Sequence, residues 1–382
     1  MRIGVVCDLV EENWSSMDLV GMMLEQGLRT FEPDLKSTRL CPAMKRRFTR
    51  VRNASRFMFN GDRLLNRFWD YPRWLRGRRD EFDIFHIVDS SYSQLVHQLP
   101  PERTIVTCHD LDTFRSVLEP SHERRSLAFR TMSKHTLSGF RKAAKIICPS
   151  ASTRENILAF GLVDPGRVSV VANGVHPDFS IKPAGAADRK ADQLLGPPRK
   201  SDLLHVGTTI PRKRVDTLLE VLALTRSKIP EARLIQAGGK LTDDQNALAG
   251  RLNVQNAVIV LPHLERSVLA SVYRRSAALL LPSEREGFGL PLIEAMACGT
   301  PVIASDIAAL REAGGTAAWY CTVGDTRSWS ASASLLLHER VNDSEARSRR
   351  SAQCIERASR FSWTEYAKSM AAIYRDLLES RQ

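Results

Sequence analysis

Apolar residues recur along the chain in short runs, each closed by a polar or glycine-containing loop and followed by helical periodicity. Residues 1–7 stop at Asp8, residues 103–108 deliver His109, residues 145–148 end in Pro149-Ser150, and residues 168–172 lead into Asn173-Gly174-Val175. The same order resumes at residues 203–207 and 277–282. Runs this short and this uniformly apolar fit strands buried on both faces of a parallel sheet. Residues 181–202, with Lys, Pro, Gly and Ala but no apolar period, read as a linker between two such halves. Residues 363–378 repeat as an amphipathic helix. The pattern predicts an α/β chain of two Rossmann-like domains, and 382 residues suit two cores better than one. The expected division is 1–180, a linker at 181–202, 203–362, and a terminal helix at 363–382.

Chemistry concentrates after the strand at 277–282. Glu286-Gly287-Phe288-Gly289-Leu290-Pro291-Leu292-Ile293-Glu294 joins that strand to a helix with Pro291 in its first turn and Gly299 as its stop. The glycines let the main chain approach a ligand, and the first N–H groups of a helix lack intrahelical partners, so a diphosphate fits there. Glu286 precedes the helix and Glu294 lies about one turn inside it, so the two carboxylates reach different parts of one molecule. Each accepts hydroxyl hydrogen bonds and donates none, which suits sugar and ribose rings. Two glutamates eight apart also occur by chance; it is the whole string that carries the reading. A second element opens where the strand at 203–207 ends, in Gly207-Thr208-Thr209-Ile210-Pro211-Arg212-Lys213-Arg214. Three cations in the first turn of a helix oppose its dipole unless an anion binds, which points to phosphate.

These strings resemble the retaining GT-B glycosyltransferases of the glycosyltransferase 4 family, of the type that builds bacterial surface polysaccharides. The resemblance implies two Rossmann-like domains facing across a cleft, and a hexose moved from a nucleotide diphosphate sugar to a polysaccharide or lipid-linked glycan. By the same resemblance Glu286 contacts donor-sugar hydroxyls, the main chain at Phe288, Gly289 and Leu290 approaches sugar and phosphate, and Glu294 holds the ribose. Arg212 and Lys213 grip the diphosphate, although Thr208 stands where many members carry Arg. His109 lies beside the anomeric centre with Asp110 as polar support, and His109 and Glu286 are the catalytic expectation. Asp110-Leu111-Asp112 spells the metal signature of a different glycosyltransferase fold, but its flanks match the metal-independent family. No metal and no cofactor beyond the donor substrate are expected. GDP-mannose is the first expectation for the donor, with UDP-glucose and UDP-N-acetylglucosamine behind it. The family's usual Gly-Gly loop after the first strand is missing here; the nearest glycine is Gly21.

Composition adds location and a surface. No apolar run is long enough to span a bilayer, and the first residues read as a strand rather than a signal sequence. Seven scattered cysteines without a Cys-x-x-Cys pair indicate a reducing cytoplasm. Residues 36–79 hold fourteen Lys and Arg against Asp62 and Asp70, a local excess equal to the +12 of the whole chain. Phe48, Phe57, Phe59, Phe68, Trp69, Tyr71 and Trp74 are interleaved with them. That mixture describes a surface drawn to anionic lipid, which the family context favours, and places the protein peripherally on the inner face of the cell membrane. A basic helix with its aromatics in the core is the plainer reading. A nucleic-acid binder lacks a supporting motif, and no nucleic-acid partner is expected. A non-catalytic GT-B scaffold would keep the fold but not the full set Glu286, Glu294, Arg212, Lys213 and His109.

Overall fold

The computed structural model describes residues 1–50 and 55–380, and Arg52 of the basic segment lies outside them. Two compact units result: Met1–Gly174 with Trp363–Gln382, and Val175–Ser362. Each contains a six-stranded sheet in which every paired strand is parallel.

In the first unit the strands are β1 (Arg2–Val6), β2 (Lys36–Leu40), β3 (Ile84–Ile87), β4 (Thr104–Thr107), β5 (Lys145–Cys148) and β6 (Val168–Val170). Their order is β2-β1-β3-β4-β5-β6, so the winding reverses between β1 and β3. Strand side chains alternate between two cores. Ile3, Val5, Ile84, Ile105 and Ile147 face helices Ser15–Phe31 and Trp363–Glu379, whereas Phe85, Ile87, Val106 and Ile146 face Tyr71, Leu75, Tyr92 and Phe140. Burial on both faces is why these strands read as continuous apolar runs. The terminal helix packs closely on Ser15–Phe31: a Cβ on Gly27 would stand 2.6 Å from Ala367 Cβ. It also reaches into the sheet, where buried His86 shares hydrogen bonds with the Tyr374 hydroxyl (2.6 Å) and the Thr107 hydroxyl (2.7 Å).

The second unit holds β7 (Asp202–Val206), β8 (Arg233–Ala237), β9 (Val258–Leu261), β10 (Ala278–Leu281), β11 (Val302–Ser305) and β12 (Trp319–Cys321). The order β12-β11-β10-β7-β8-β9 reverses between β7 and β10, with Leu203 opposite Ala278 and Leu204 opposite Leu279. In open α/β sheets ligands bind beyond the carboxyl ends of strands at such a reversal. Those ends are where the sequence carries Arg212-Lys213 and Glu286.

One expectation is corrected. The stretch 181–202 is not a linker: it contains helix Gly185–Leu195, which buries Ala187, Ala191 and Leu195. The period of four is present but written in alanines. Asp188 and Asp192 fix the helix by ion pairs to Arg274 (2.6 Å) and Arg275 (2.9 Å) of helix Arg266–Arg275. Asn173 is buried as the chain leaves the first unit.

Candidate functional site

Beyond β7, Pro211–Lys213 forms a single 3-10 turn, and Arg214 adopts a left-handed conformation (φ 50°, ψ 47°) at the cap of helix Val215–Arg226. The three cations therefore precede the helix rather than occupying its first turn, where the acidic Asp216 sits as the dipole favours. Arg214 is consumed by ion pairs with Asp216 (2.9 Å) and Glu284 (3.1 Å). Arg212 and Lys213 turn the other way. Lys213 Nζ lies 2.5 Å from Glu286 Oε1, and Arg212 lies 3.6 Å from Glu286 Oε2 while donating to the Arg285 carbonyl at 2.9 Å. The Glu284 N–H donates to the Arg212 carbonyl at 2.8 Å, tying the two loops together.

Burial alone would push the Glu286 carboxyl up, but Lys213 and Arg212 outweigh it and hold Glu286 below its ordinary range. Behind this group stands a residue the sequence reading missed. His205, within β7, is fully buried, donates or accepts through Nδ1 at the Leu280 carbonyl (2.9 Å), and is pushed down to about 4 by burial despite the Leu280 bond. A carbonyl accepts only, so Nδ1 carries the proton and the ring is neutral. A histidine inside an apolar strand was the available signal.

Gly289 caps helix Leu290–Ala297 with φ 98°, and a Cβ there would meet Leu310 Cδ2 at 2.6 Å. Only glycine fits the turn without strain. The Phe288 side chain is buried against Phe361 (ring centroids 5.5 Å), so its main chain, not its ring, borders the helix start. Leu290 and Pro291 begin the helix, and the N–H of Leu290 has no intrahelical partner. Glu294, one turn in, is buried and accepts from the Tyr273 hydroxyl at 2.9 Å. No cation pairs with it among the described residues, and burial raises it to about 7 against the opposing Tyr273 bond. Glu286 and Glu294 thus have opposite electrostatics although the sequence presents them alike. Tyr273, twenty-one positions upstream, had no local signal.

His109 and Asp110 belong to the first unit, beyond the carboxyl end of β4. His109 Nε2 donates to the Val88 carbonyl at 2.9 Å, and burial lowers its basicity against the opposing charge of Asp89. Asp110 Oδ1 accepts from the Asp112 N–H at 2.9 Å, and Asp112 pairs with Arg115 at 3.1 Å. The Asp-x-Asp string therefore folds as a turn and an ion pair. Nearby, at the β1–β3 reversal, Asp8 is buried beside Asp89, which together with burial raises its carboxyl well above the usual range.

The basic segment is mixed. Helices Arg56–Leu65 and Tyr71–Arg76 flank a π-helical stretch, Asn66–Asp70, ahead of Pro72, which has no N–H to donate. Tyr71 and Leu75 enter the core, while Phe57 (85% exposed), Trp69 (56%), Phe48, Leu64 and Leu65 stay outside. Buried Asp62 accepts from the N–H groups of Arg47, Phe48 and Thr49, which clamps the loop carrying Arg46 and Arg50 onto the helix. Some cations are paired internally, Lys45 and Arg47 with Asp70, Arg63 and Arg67 with Glu12.

Residues 187–358 match the family model described as Glycosyl transferases group 1, and residues 29–179 match Glycosyltransferase Family 4. The two matches together mark the chain as a glycosyltransferase of the glycosyltransferase 4 type. Among curated relatives, the D-inositol 3-phosphate glycosyltransferase of Thermobispora bispora is 32% identical over 254 residues, covering 62% of this chain and 57% of that protein. Its namesake from Mycobacterium marinum is 30% identical over 244 residues, covering 61% and 50%. The chain spans about half the length of the curated relatives it matches. Among solved structures, sucrose-phosphate synthase from Thermosynechococcus elongatus superposes with TM-score 0.75 at 19% identity over 100% of both chains. WaaG, a glycosyltransferase involved in lipopolysaccharide biosynthesis, gives 0.70 at 16% identity over 98% of this chain and 99% of its own. Anabaena HepE in complex with UDP-glucose gives 0.71 at 15% over 98% and 100%. At these identities the likeness establishes the fold: GT-B, with two Rossmann-like domains.

Proposed function

We propose that the protein is a retaining hexosyltransferase that takes its sugar from a nucleotide diphosphate sugar held by the second unit. The observation that carries this reading is the convergence of Lys213 and Arg212 on Glu286 at the β7–β10 reversal, beside the Gly289 helix start. On this reading Arg212, Lys213 and the first helix N–H groups meet the charge that grows on the departing diphosphate. Glu286 accepts hydroxyl hydrogen bonds from the donor sugar, and Glu294 accepts those of the ribose. His109 and Asp110, beyond β4 in the first unit, keep the catalytic and supporting roles that the family resemblance implies for them. No side chain is assigned as a covalent nucleophile: the acceptor hydroxyl attacks on the face the diphosphate leaves, and the diphosphate takes its proton. Positive charge comes from side chains, so turnover is expected to persist in EDTA.

The donor panel starts with GDP-mannose and UDP-hexoses; the HepE complex with UDP-glucose puts the latter on equal terms. For the acceptor, the exposed Phe57, Leu64 and Trp69 in a segment rich in Arg favour a lipid-linked glycan reached from the inner membrane surface. Among the described residues no helix is long and apolar enough to cross a membrane, so attachment on this reading is peripheral. The names of the curated relatives add inositol 3-phosphate as a soluble acceptor to try. The test is to incubate the purified protein with each sugar nucleotide and follow nucleoside diphosphate release and thermal stabilisation. Saturable stabilisation and slow release with one donor support an enzyme. Stabilisation without release at any enzyme concentration or with any acceptor favours a non-catalytic scaffold, and no response to any donor rejects the donor site.

A further inference from the structure

The first unit carries a cavity of about 470 Å³ that the donor reading does not use. One wall is Arg76, Arg79 and Asp80, at the end of helix Tyr71–Arg76 and just beyond it; the other is His97, Gln98 and Leu99, ahead of β4. It therefore borders the amino-terminal edge of the sheet, whereas His109 follows the carboxyl end of β4.

Its charge is unbalanced. Arg79 pairs with Asp80 at 3.5 Å, a contact between exposed groups that contributes little. The Arg76 side chain makes no hydrogen bond or ion pair among the described residues, and it is exposed. His97 is fixed rather than mobile: its ring stacks on His135 (centroids 4.6 Å, planes 15° apart), Nε2 lies 2.9 Å from the Ser138 hydroxyl, and Nδ1 lies 3.4 Å from Lys142 Nζ. An ammonium donates only, so Nδ1 accepts and Nε2 carries the proton, which sets Lys142 as a further cation directly behind the ring. Arg76 and Arg79 thus face a single acid, Asp80, across a concave surface large enough for an oxyanion and the group esterified to it, with Lys142 behind the His97 ring.

We propose that this cavity is a binding site for a phosphate monoester, with Arg76 and Arg79 as its ligands and His97 as its positioned wall. Guanidinium groups meet phosphate oxygens with paired N–H donors, and a dianion satisfies two cations where one carboxylate satisfies only one. Arg76 ends the same helical run that exposes Leu65 and Trp69, so the ester is either a lipid headgroup or a soluble sugar phosphate.

Two arms separate these sources. In the first, the His97 ring resonances of the full chain are followed by NMR while inorganic phosphate is added at constant ionic strength, with chloride as control. A saturable shift specific to phosphate is expected, weakened about tenfold or more in Arg76→Gln, the loss of one charge-assisted contact. Both arginines are exposed, so the variant is expected to melt with the parent, and Arg79→Gln serves as an independent second variant. In the second arm the protein is floated with phosphatidylcholine vesicles containing phosphatidic acid or phosphatidylglycerol at matched surface charge. A preference for phosphatidic acid that Arg76→Gln abolishes assigns the site to lipid; equal flotation with the phosphate shift intact assigns it to a soluble ester. No phosphate-specific shift at His97, or the same affinity in parent and both variants, overturns the proposal. Donor binding is read in parallel and is expected to be unchanged, so failure here and failure of the donor site are distinguishable.

Discussion

Lys213 Nζ and Glu286 Oε1 stand 2.5 Å apart with about nine-tenths of each side chain out of solvent. Buried partners of opposite charge depend on each other: removing one leaves the other desolvated and uncompensated. Lys213→Ala is therefore expected to weaken nucleoside diphosphate binding by at least about tenfold, and nucleoside monophosphate binding by less, since the lost charge faces the outer phosphate. Calorimetric titration of both ligands decides it; equal losses would show that Lys213 does not address the outer phosphate.

Glu286→Gln keeps shape and one acceptor oxygen but removes the charge that Lys213 and Arg212 hold ionised. Turnover is expected to fall by about a hundredfold or more while nucleotide affinity changes only a few-fold, the signature of a contact made to the reacting sugar. Steady-state kinetics beside a nucleotide titration checks this, and parent-like turnover rejects the assignment.

How much of this was open to reading from the chain depends on which forces act locally. The Glu286–Glu294 string, its Gly289 turn and the Arg212-Lys213 pair are legible because strand, turn and helix start are consecutive in sequence. The two-unit α/β organisation is equally legible, since doubly buried strands announce themselves as apolar runs. Tyr273 and His205 were not, because Tyr273 meets Glu294 through helix packing and His205 meets the Leu280 carbonyl through the β7–β10 pairing, both non-local properties. Helix Gly185–Leu195 was missed for another reason: its buried face is mostly alanine, with too little apolar bulk to show a period. The cations at 212–214 were placed one turn too late, since the left-handed Arg214 that delays the helix has no residue-type signal of the kind glycine gives.

Glu294 supplies a pH test. Burial raises its carboxyl from 4.5 to about 7, so the folded protein binds this proton more tightly than the unfolded chain. Its contribution to stability is fully present below about pH 4.5 and is lost as the pH rises through about 7. Ribose hydroxyls donate best to the ionised form, so nucleotide affinity should increase from pH 6 to pH 8 with uptake of nucleotide coupled to proton release. Glu294→Gln should flatten both trends. Calorimetry in buffers of different ionisation enthalpy reads the proton directly, and an unchanged pH dependence in the variant would place the titrating group elsewhere.

The His86–Tyr374 contact predicts a stability change with no effect on donor binding. Tyr374→Phe leaves a buried imidazole nitrogen without its partner, at a cost of about 1–3 kcal/mol. Burial lowers His86 to about 3, so its contribution is present above about 6.5 and lost as the pH falls. Urea unfolding at pH 7.5 should show the reduced midpoint, with nucleotide affinity preserved; an unchanged midpoint would mean the helix Trp363–Glu379 is held by packing alone.

Membrane attachment through the exposed side chains of residues 46–50 and 56–69 needs both of its components. Arg46, Arg50 and Arg56 contribute about 1 kcal/mol each near an anionic surface, screened within a Debye length of roughly 8 Å at physiological salt. Phe57 and Trp69 add apolar insertion that salt does not weaken. Replacing the three arginines with Gln should abolish flotation with anionic vesicles at low salt, while Phe57→Ser with Trp69→Ser should leave a residual binding that high salt removes completely. Both sets lie in the first unit, so nucleotide binding by the second is expected to stay at the parent level. Parent-like flotation of the arginine variant would mean that the segment faces something other than lipid, and the lipid-linked acceptor would lose its principal support.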